Sequence, residues 1–597
     1  MRRVTRVEVL AILILVCIAA FFRFHRLHEV PIGLWRDEAA NGLEALRVLD
    51  GSHSIFFGTR EPMFIYLVAV SVAFLGRNPP AIRIVAAIVG TATIPVTYLL
   101  IRELFLSTGQ RARVVACLTS LWLATSYWHI NFSRLGFRGI LLPLLASLSF
   151  YFLWRGWNEL AGCRQDSSSW RFPTLAWFAI AGLCFGLTLY TYTPSRFLPL
   201  VLLPFLGHVV ARTWRKRPLR LRVHDILLSR SSPLIAFAVF ALSFLLVFAP
   251  LGVHFLTDAR SFFVRSGVSV FSVPHDEPVA LVLAKNSLRQ LGMFGFVADP
   301  NTRHDPAGRP AFDLFTLSFF LIGVVVSLRH CRQTPYLFAL SWFCLMLLPA
   351  ILTFPELPHF LRAIGALPVA YVFPALGVEK TWRWLRARQV SHQACYAFVS
   401  VLALSFAVMG LLTYRDYFAP EVEEIELVKA FDPRFVRVAS IMNQLDQPHS
   451  VWIIPVGPDD EQRMAYYVID FLYQGKAPHR YVRLDEATIA QELREICQGK
   501  DRAMVLNRTE DYMAQPWFDL YADSEGLVPF LLDEHSHRLE SIHFQGLDVL
   551  VYQLPENPTF SIADELGPLV VDFRGGLNLT GVGFRVGSHL RPTPRLC

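Results

Sequence analysis

Apolar residues in this chain gather into eleven blocks of about 15–21 residues, at 9–22, 83–101, 114–130, 139–154, 172–190, 193–211, 233–253, 314–328, 335–354, 363–378 and 393–413. Each approaches the ~20 residues needed to cross a bilayer, and the shorter ones recruit flanking residues. After residue 413 the texture changes to that of an ordinary globular domain. Charged types make up 17% of the 597 residues, against about 25% in soluble domains. That deficit excludes disorder, a coiled coil and an ordinary cytosolic enzyme. The expected fold class is an α-helical polytopic membrane protein of about eleven spans (1–413), with a C-terminal extracytoplasmic α/β domain (414–597).

A twelfth candidate, 61–76, begins with Glu61-Pro62 and ends with Gly76-Arg77. The distribution of basic residues decides whether it crosses. If it lies in the outer interface, the inner loops hold Arg102, Arg111 and Arg113, then Arg155, Arg164 and Arg171. They also hold Arg212, Arg215, Lys216, Arg217, Arg220 and Arg222, then Arg329 and Arg332, then Lys380, Arg383, Arg386 and Arg388. The short outer loops keep only Arg134, Arg138, Arg196 and Arg362. A crossing would reverse every one of these assignments. The N-terminus is therefore expected in the cytoplasm and the C-terminal domain outside an integral plasma membrane protein. No small-residue cleavage site follows the first block, so it reads as a retained span. The net charge of +8 is topological in this setting and implies no nucleic-acid partner.

Of nine cysteines, only Cys497 and Cys597 fall outside the spans and inner loops, so there is no disulfide framework. There is no CxxC and no His/Cys cluster with zinc spacing. In the soluble part, Ser450–Pro455 and Ala503–Leu506 read as strands and Glu486–Cys497 as an amphipathic helix. Val549–Leu554 and Val570–Phe573 make the end β-rich. The stretch after Gly575-Gly576 reads as the opening of a β-sandwich that then stops, as in a truncated chain.

Three outer regions are long enough for chemistry: 23–82, 254–313 and everything beyond about 414. The spans hold almost no ionisable residues, apart from Glu8 and His208 near inner ends. Ion-coupled transporters need such groups near mid-membrane, so a transporter or flippase of lipid-linked sugars is the weaker alternative. A surface interaction protein is weaker still, since eleven spans exceed what anchoring needs. Acids and arginines cluster instead at outer span ends, which points to a reaction at the outer water–lipid boundary.

The sharpest signal there is Pro31-Ile32-Gly33-Leu34-Trp35-Arg36-Asp37-Glu38, leading into a helical stretch from Glu38 to Leu49. Asp37 is placed to accept a proton from an acceptor hydroxyl or amine. By spacing alone the pair reads first as an N-cap and a first-turn acid, ahead of catalysis. Neighbouring carboxylates point apart, so no metal is expected on them, and no cofactor.

These residues resemble the acidic-pair motif of the protein O-mannosyltransferases and the lipid A aminoarabinose transferases, of the GT-C fold. The likeness continues at Arg60-Glu61-Pro62-Met63-Phe64, Gly76, Ala81-Ile82-Arg83-Ile84 and Gly90. It runs on through Ser133-Arg134, Arg138-Gly139-Ile140-Leu141-Leu142, and Leu189-Tyr190-Thr191-Tyr192 with Arg196 and Pro199. It covers most of 1–413 in order and weakens beyond. One departure is Pro143, where several relatives carry an Asp.

The resemblance implies an inverting glycosyltransferase of the cell envelope, moving a sugar from a polyprenyl-phosphate donor to a glycolipid, protein or polymer acceptor. Asp37 would be the catalytic base. Glu38, Arg60, Glu61, Arg134, Arg138, Tyr192, Arg196, His359 and Arg362 would bind donor or substrate. Arg138 leads as the phosphate ligand, because a guanidinium grips phosphate oxygens and stays charged.

Overall fold

The structure is a computed structural model describing residues 5–108, 110–165, 172–215, 233–263, 269–353 and 356–418. Beyond these it describes 430–431, 433–456, 460–484, 488–508, 523, 526–544, 547–560, 571–573, 577–583 and 593–596. Arg171, Lys216, Arg217, Arg220, Arg222, Glu486, Val570, Gly575, Gly576 and Cys597, all used above, lie outside the described residues. The chain divides into two compact units, Met1–Asp432 and Pro433–Cys597.

In the first unit the apolar blocks become helices: α1 (Arg6–Phe24), α4 (Pro79–Leu104), α7 (Leu141–Gln165), α8 (Phe172–Thr188) and α9 (Leu198–Arg215). They continue with α10 (Pro233–Thr257), α12 (Leu314–Arg329), α13 (Thr334–Ile351), α14 (Val372–Ala387) and α15 (His392–Phe418). Among the described residues, seven helices are long and apolar enough to cross a membrane, and four shorter apolar ones accompany them. The block at 114–130 breaks at Ser126 into α5 (Ala112–Thr125) and α6 (Tyr127–Phe132), with the Ser126 hydroxyl capping the second by accepting the His129 N–H at 3.2 Å. The chain is a multi-pass membrane protein.

Packing follows membrane rules, in which small residues let helix backbones meet. A Cβ on Gly323 would overlap the Phe373 carbonyl, and one on Gly377 the Phe319 carbonyl, so α12 and α14 touch at two reciprocal glycines. Helix α7 lies between α4 and α8, and α10 packs on α8.

Segment 61–76 forms α3 (Met63–Leu75), whose 13 residues reach only about 20 Å at 1.5 Å per residue, short of a hydrocarbon core of about 30 Å. It packs against α2 (Arg36–Leu49) and α4. Its other face shows Leu67, Val70 and Phe74.

The bundle sorts its charges by end. At one end Glu8 pairs with Arg102 and Arg113 at 3.0 and 3.1 Å, and Glu103 with Arg155 at 2.9 Å. The other end, roughly 28 Å away along α1, carries the residues described next.

The second unit holds a five-stranded sheet of order β2-β1-β3-β5-β4. Its strands are β1 (Ser450–Val456), β2 (His479–Arg483), β3 (Arg502–Arg508), β4 (His537–Phe544) and β5 (Leu547–Gln553). Strand β1 runs parallel to β2 and β3, while β3, β5 and β4 are antiparallel. Being central, β1 is buried along its whole length, hence its unbroken apolar run. A separate antiparallel sheet comprises 571–573, 577–583 and 593–596.

Candidate active site

The loop after α1 turns into α2 at Trp35, and successive helical residues are about 100° apart. That rotation sends the adjacent acids in opposite directions. The Asp37 side chain is 55% exposed, with Oδ1 3.6 Å from Nη2 of Arg60. The Glu38 side chain is fully buried.

Glu38 accepts from Nε and Nη2 of Arg83, both at 3.0 Å, from the Gly136 N–H at 2.7 Å and from the Trp35 N–H at 3.2 Å. Arg83, on α4, also donates to the carbonyls of Pro31 and Gly33 at 2.7 and 2.8 Å. The pair thus joins the 31–38 loop, α4 and the turn that leads to Arg138. With its side chain fully buried and four N–H donors on its carboxylate, Glu38 fits a positioning role better than the substrate contact expected from the sequence. Glu38→Gln, which keeps the shape and removes the charge opposite a buried guanidinium, is expected to cost about 2 kcal/mol, read as a fall in the detergent Tm.

Arg134 is likewise tied to the backbone of other segments. It is fully buried and donates to the carbonyls of Phe22 and Arg23, both at 3.0 Å, and of Val30 at 2.8 Å. Its guanidinium lies 4.8 Å from the Phe418 ring centroid. It closes the C-terminal end of α1, where helix carbonyls need donors.

Glu61 is the hub of the remaining group. Its buried carboxylate accepts from Nε of Arg138 at 2.8 Å and from the Thr193 hydroxyl at 2.9 Å, with Nη2 of Arg196 at 3.6 Å. Arg138 lies 5.5 Å over the Tyr192 ring, and Arg196 donates to the Phe262 carbonyl. Nη2 of Arg138 is buried and has no hydrogen-bond partner among the described residues. Arg60 and Glu61 are consecutive, so the Asp37–Arg60 pair and the Glu61–Arg138–Arg196 cluster both draw on the start of the 60–76 segment.

Leu361, which lies between His359 and Arg362 in the chain, packs beside this cluster: a Cβ on Gly139 would sit 3.0 Å from Leu361 and 3.4 Å from Tyr192. His359 is buried; its N–H donates to the Gln290 side chain at 3.0 Å, and its Nδ1 accepts the Arg362 N–H at 3.2 Å. Burial, then the neighbouring His304 and Arg362, holds its imidazole well below the usual histidine range. Burial likewise pushes the Asp305 carboxyl up to about 7. An apolar cavity of about 670 Å³ lies beside the hub, lined by residues including His53, Pro62, Met63, Tyr66, Leu187 and Tyr190.

Sequence reading gave no site role to Arg83 or Thr193. Arg83 sits inside an apolar span start, where an arginine reads as an interface anchor. Thr193 carries no charge signal. Arg303, in the polar stretch Asn301–Asp305 of the long outer loop 254–313 that reads from sequence as a candidate lining of the donor entrance, places its guanidinium 3.7 Å from the Trp35 ring centroid.

No family model and no curated protein matches the chain. Solved structures do. ArnT from Cupriavidus metallidurans bound to undecaprenyl phosphate aligns at a TM-score of 0.54 and 13% identity, over 91% of this chain and 97% of that one. Its apo state aligns at 0.50 and 14%, over 91% and 98%. The archaeal oligosaccharyltransferase AglB from Archaeoglobus fulgidus, in complex with an inhibitory peptide and a dolichol-phosphate, gives 0.46 and 16%, over 80% and 61%. Near-complete mutual coverage with ArnT, together with a helical bundle followed by a small sheet domain, gives this chain the GT-C fold.

Proposed function

We propose that the chain is an inverting glycosyltransferase that moves a sugar from a polyprenyl-phosphate donor to an acceptor at the outer face of the membrane. The observation that carries the reading is Arg138, held by Glu61 through Nε with its buried Nη2 left over, while Arg60, next to Glu61 in the chain, pairs with an accessible carboxylate at Asp37. A buried N–H on a cation with no acceptor is costly, and a phosphate oxygen satisfies it.

In the reaction, Asp37 takes the proton of the acceptor hydroxyl or amine as that atom attacks the anomeric carbon. The bond from that carbon to the phosphate oxygen breaks on the opposite side, inverting its configuration, and the polyprenyl phosphate leaves with the electron pair. Arg138 and Arg196 face the charge that grows on the phosphate. Arg60 holds Asp37 at the rim. The apolar cavity beside Pro62 and Tyr190 suits the first isoprene units. ArnT, the neighbour bound to undecaprenyl phosphate, supports this class of donor.

The test is transfer by the purified chain. Labelled sugar from polyprenyl-phosphate donors is expected to move into a protein, glycolipid or polymer fraction, with polyprenyl phosphate released. A chain that carries lipid-linked sugars across vesicles without releasing that phosphate would instead be a transporter.

The site has to face outward. With the N-terminus cytoplasmic, a membrane-impermeant maleimide applied to intact cells is expected to label Ser52→Cys, in the exposed loop after α2, and to leave native Cys331 unlabelled until the cells are opened. The reverse pattern would put the chemistry on the wrong side.

A further inference from the structure

Three buried donors converge outside the Asp37–Arg138 group. Asp299 and His304 lie in the loop between α11 (Val279–Gly292) and α12, and His359 lies in the segment 356–366. One ligand atom from each lies within 4.8 Å of the others, and none of the three residues is more than 5% exposed. The His304 and His359 ring centroids are 4.6 Å apart.

The carboxylate is oriented by backbone donors from both loops. Asp299 Oδ1 accepts the Asn301 N–H at 2.9 Å, and Oδ2 accepts the Phe360 N–H at 2.6 Å. Such outer hydrogen bonds are what fix a metal-ligating carboxylate. His304 Nδ1 lies 3.3 Å from Asp299 Oδ2, yet it is buried with no partner of hydrogen-bonding geometry. A bare imidazole nitrogen, a second imidazole and a fixed carboxylate thus surround one point.

We propose that Asp299, His304 and His359 bind a single divalent transition-metal ion of the zinc class. Two imidazole nitrogens and one carboxylate oxygen suit zinc, with a water completing four-coordination; magnesium and calcium take oxygen ligands. His359 gives up its 3.2 Å contact with the Arg362 N–H when it ligates, because that contact needs Nδ1 as an acceptor. The metal is a staple: it ties the 293–313 loop to the segment whose Leu361 packs beside Gly139 and Tyr192. It takes no part in the proposed transfer, which needs no metal, and it stands or falls independently of that reading.

The experiment uses the full chain purified in detergent without chelator, with zinc counted by elemental analysis and thermal unfolding followed. About one zinc per chain is expected, lost in His304→Ala and His359→Ala, and zinc added to stripped wild type is expected to raise the Tm by roughly 5 °C. Cobalt(II) added to stripped wild type, which needs no variant to fold, is expected to show the visible bands of a four-coordinate nitrogen–oxygen site. Wild type that holds no zinc and shows neither a Tm shift nor cobalt bands would overturn the proposal. So would zinc retained undiminished by both variants.

Discussion

Replacing Asp37 with Asn is expected to lower turnover by roughly a hundred- to ten-thousand-fold, the range that a general base contributes. The substitution keeps the side-chain shape and removes the proton acceptor. Asp37 is mostly exposed and its one described ion pair, with Arg60, is long at 3.6 Å. Pairs of that kind contribute under about 1 kcal/mol, so the Tm stays where it was. Affinity for polyprenyl phosphate is expected to hold or improve, since an anion near the site has gone. The effect therefore falls on kcat and not on donor KM. Turnover like the wild type's would remove Asp37 from the chemistry.

Arg138→Gln is expected to lower turnover by roughly a hundred- to a thousand-fold, the loss associated with removing one preorganised donor from a developing charge. Here the effect also appears in binding: added undecaprenyl phosphate no longer raises the Tm as it does for wild type. Arg138 also neutralises buried Glu61, and a buried acid left without its partner destabilises the fold. Arg138→Lys separates the two roles. An ammonium restores the charge beside Glu61, but it cannot hold a carboxylate and a phosphate with one planar fork. It is expected to recover the Tm and only part of the turnover. Recovery of both would make Arg138 a structural counter-ion and nothing more.

The parts of the fold that were legible share one property: their burial leaves a continuous apolar record. Most of the apolar blocks and the central strands β1, β3 and β5 coincide with elements within a few residues, whereas the block at 363–378 becomes short turns followed by α14 at 372–387 and the block at 114–130 breaks in two. The missed strands, β2 and β4, are the two edges of the sheet. Edge strands face water and carry polar residues, and His-Arg-Tyr-Val-Arg in β2 gives no alternation to read.

The site divides along similar lines. Asp37, Arg60, Glu61, Arg138 and Arg196 were named from a linear motif; the fold pairs Asp37 with Arg60 and joins Glu61 to Arg138 and Arg196. Glu38 and Arg134 were named by the same motif, but their guanidinium, backbone N–H and carbonyl partners come from elsewhere in the chain. A linear pattern cannot distinguish a charge that faces substrate from one that fastens two segments together. Asp299, His304 and His359 show the converse: the first two share a loop, the third lies in another, and no zinc-type spacing links them.

The most direct measurement is an experimental structure with undecaprenyl phosphate bound. A phosphate oxygen within about 3 Å of Arg138 Nη2, with the Asp37 carboxylate facing the same cavity from the rim, is the predicted result. A phosphate held elsewhere while Arg138 stays locked to Glu61, or an Asp37 side chain turned away from the bound headgroup, would contradict it.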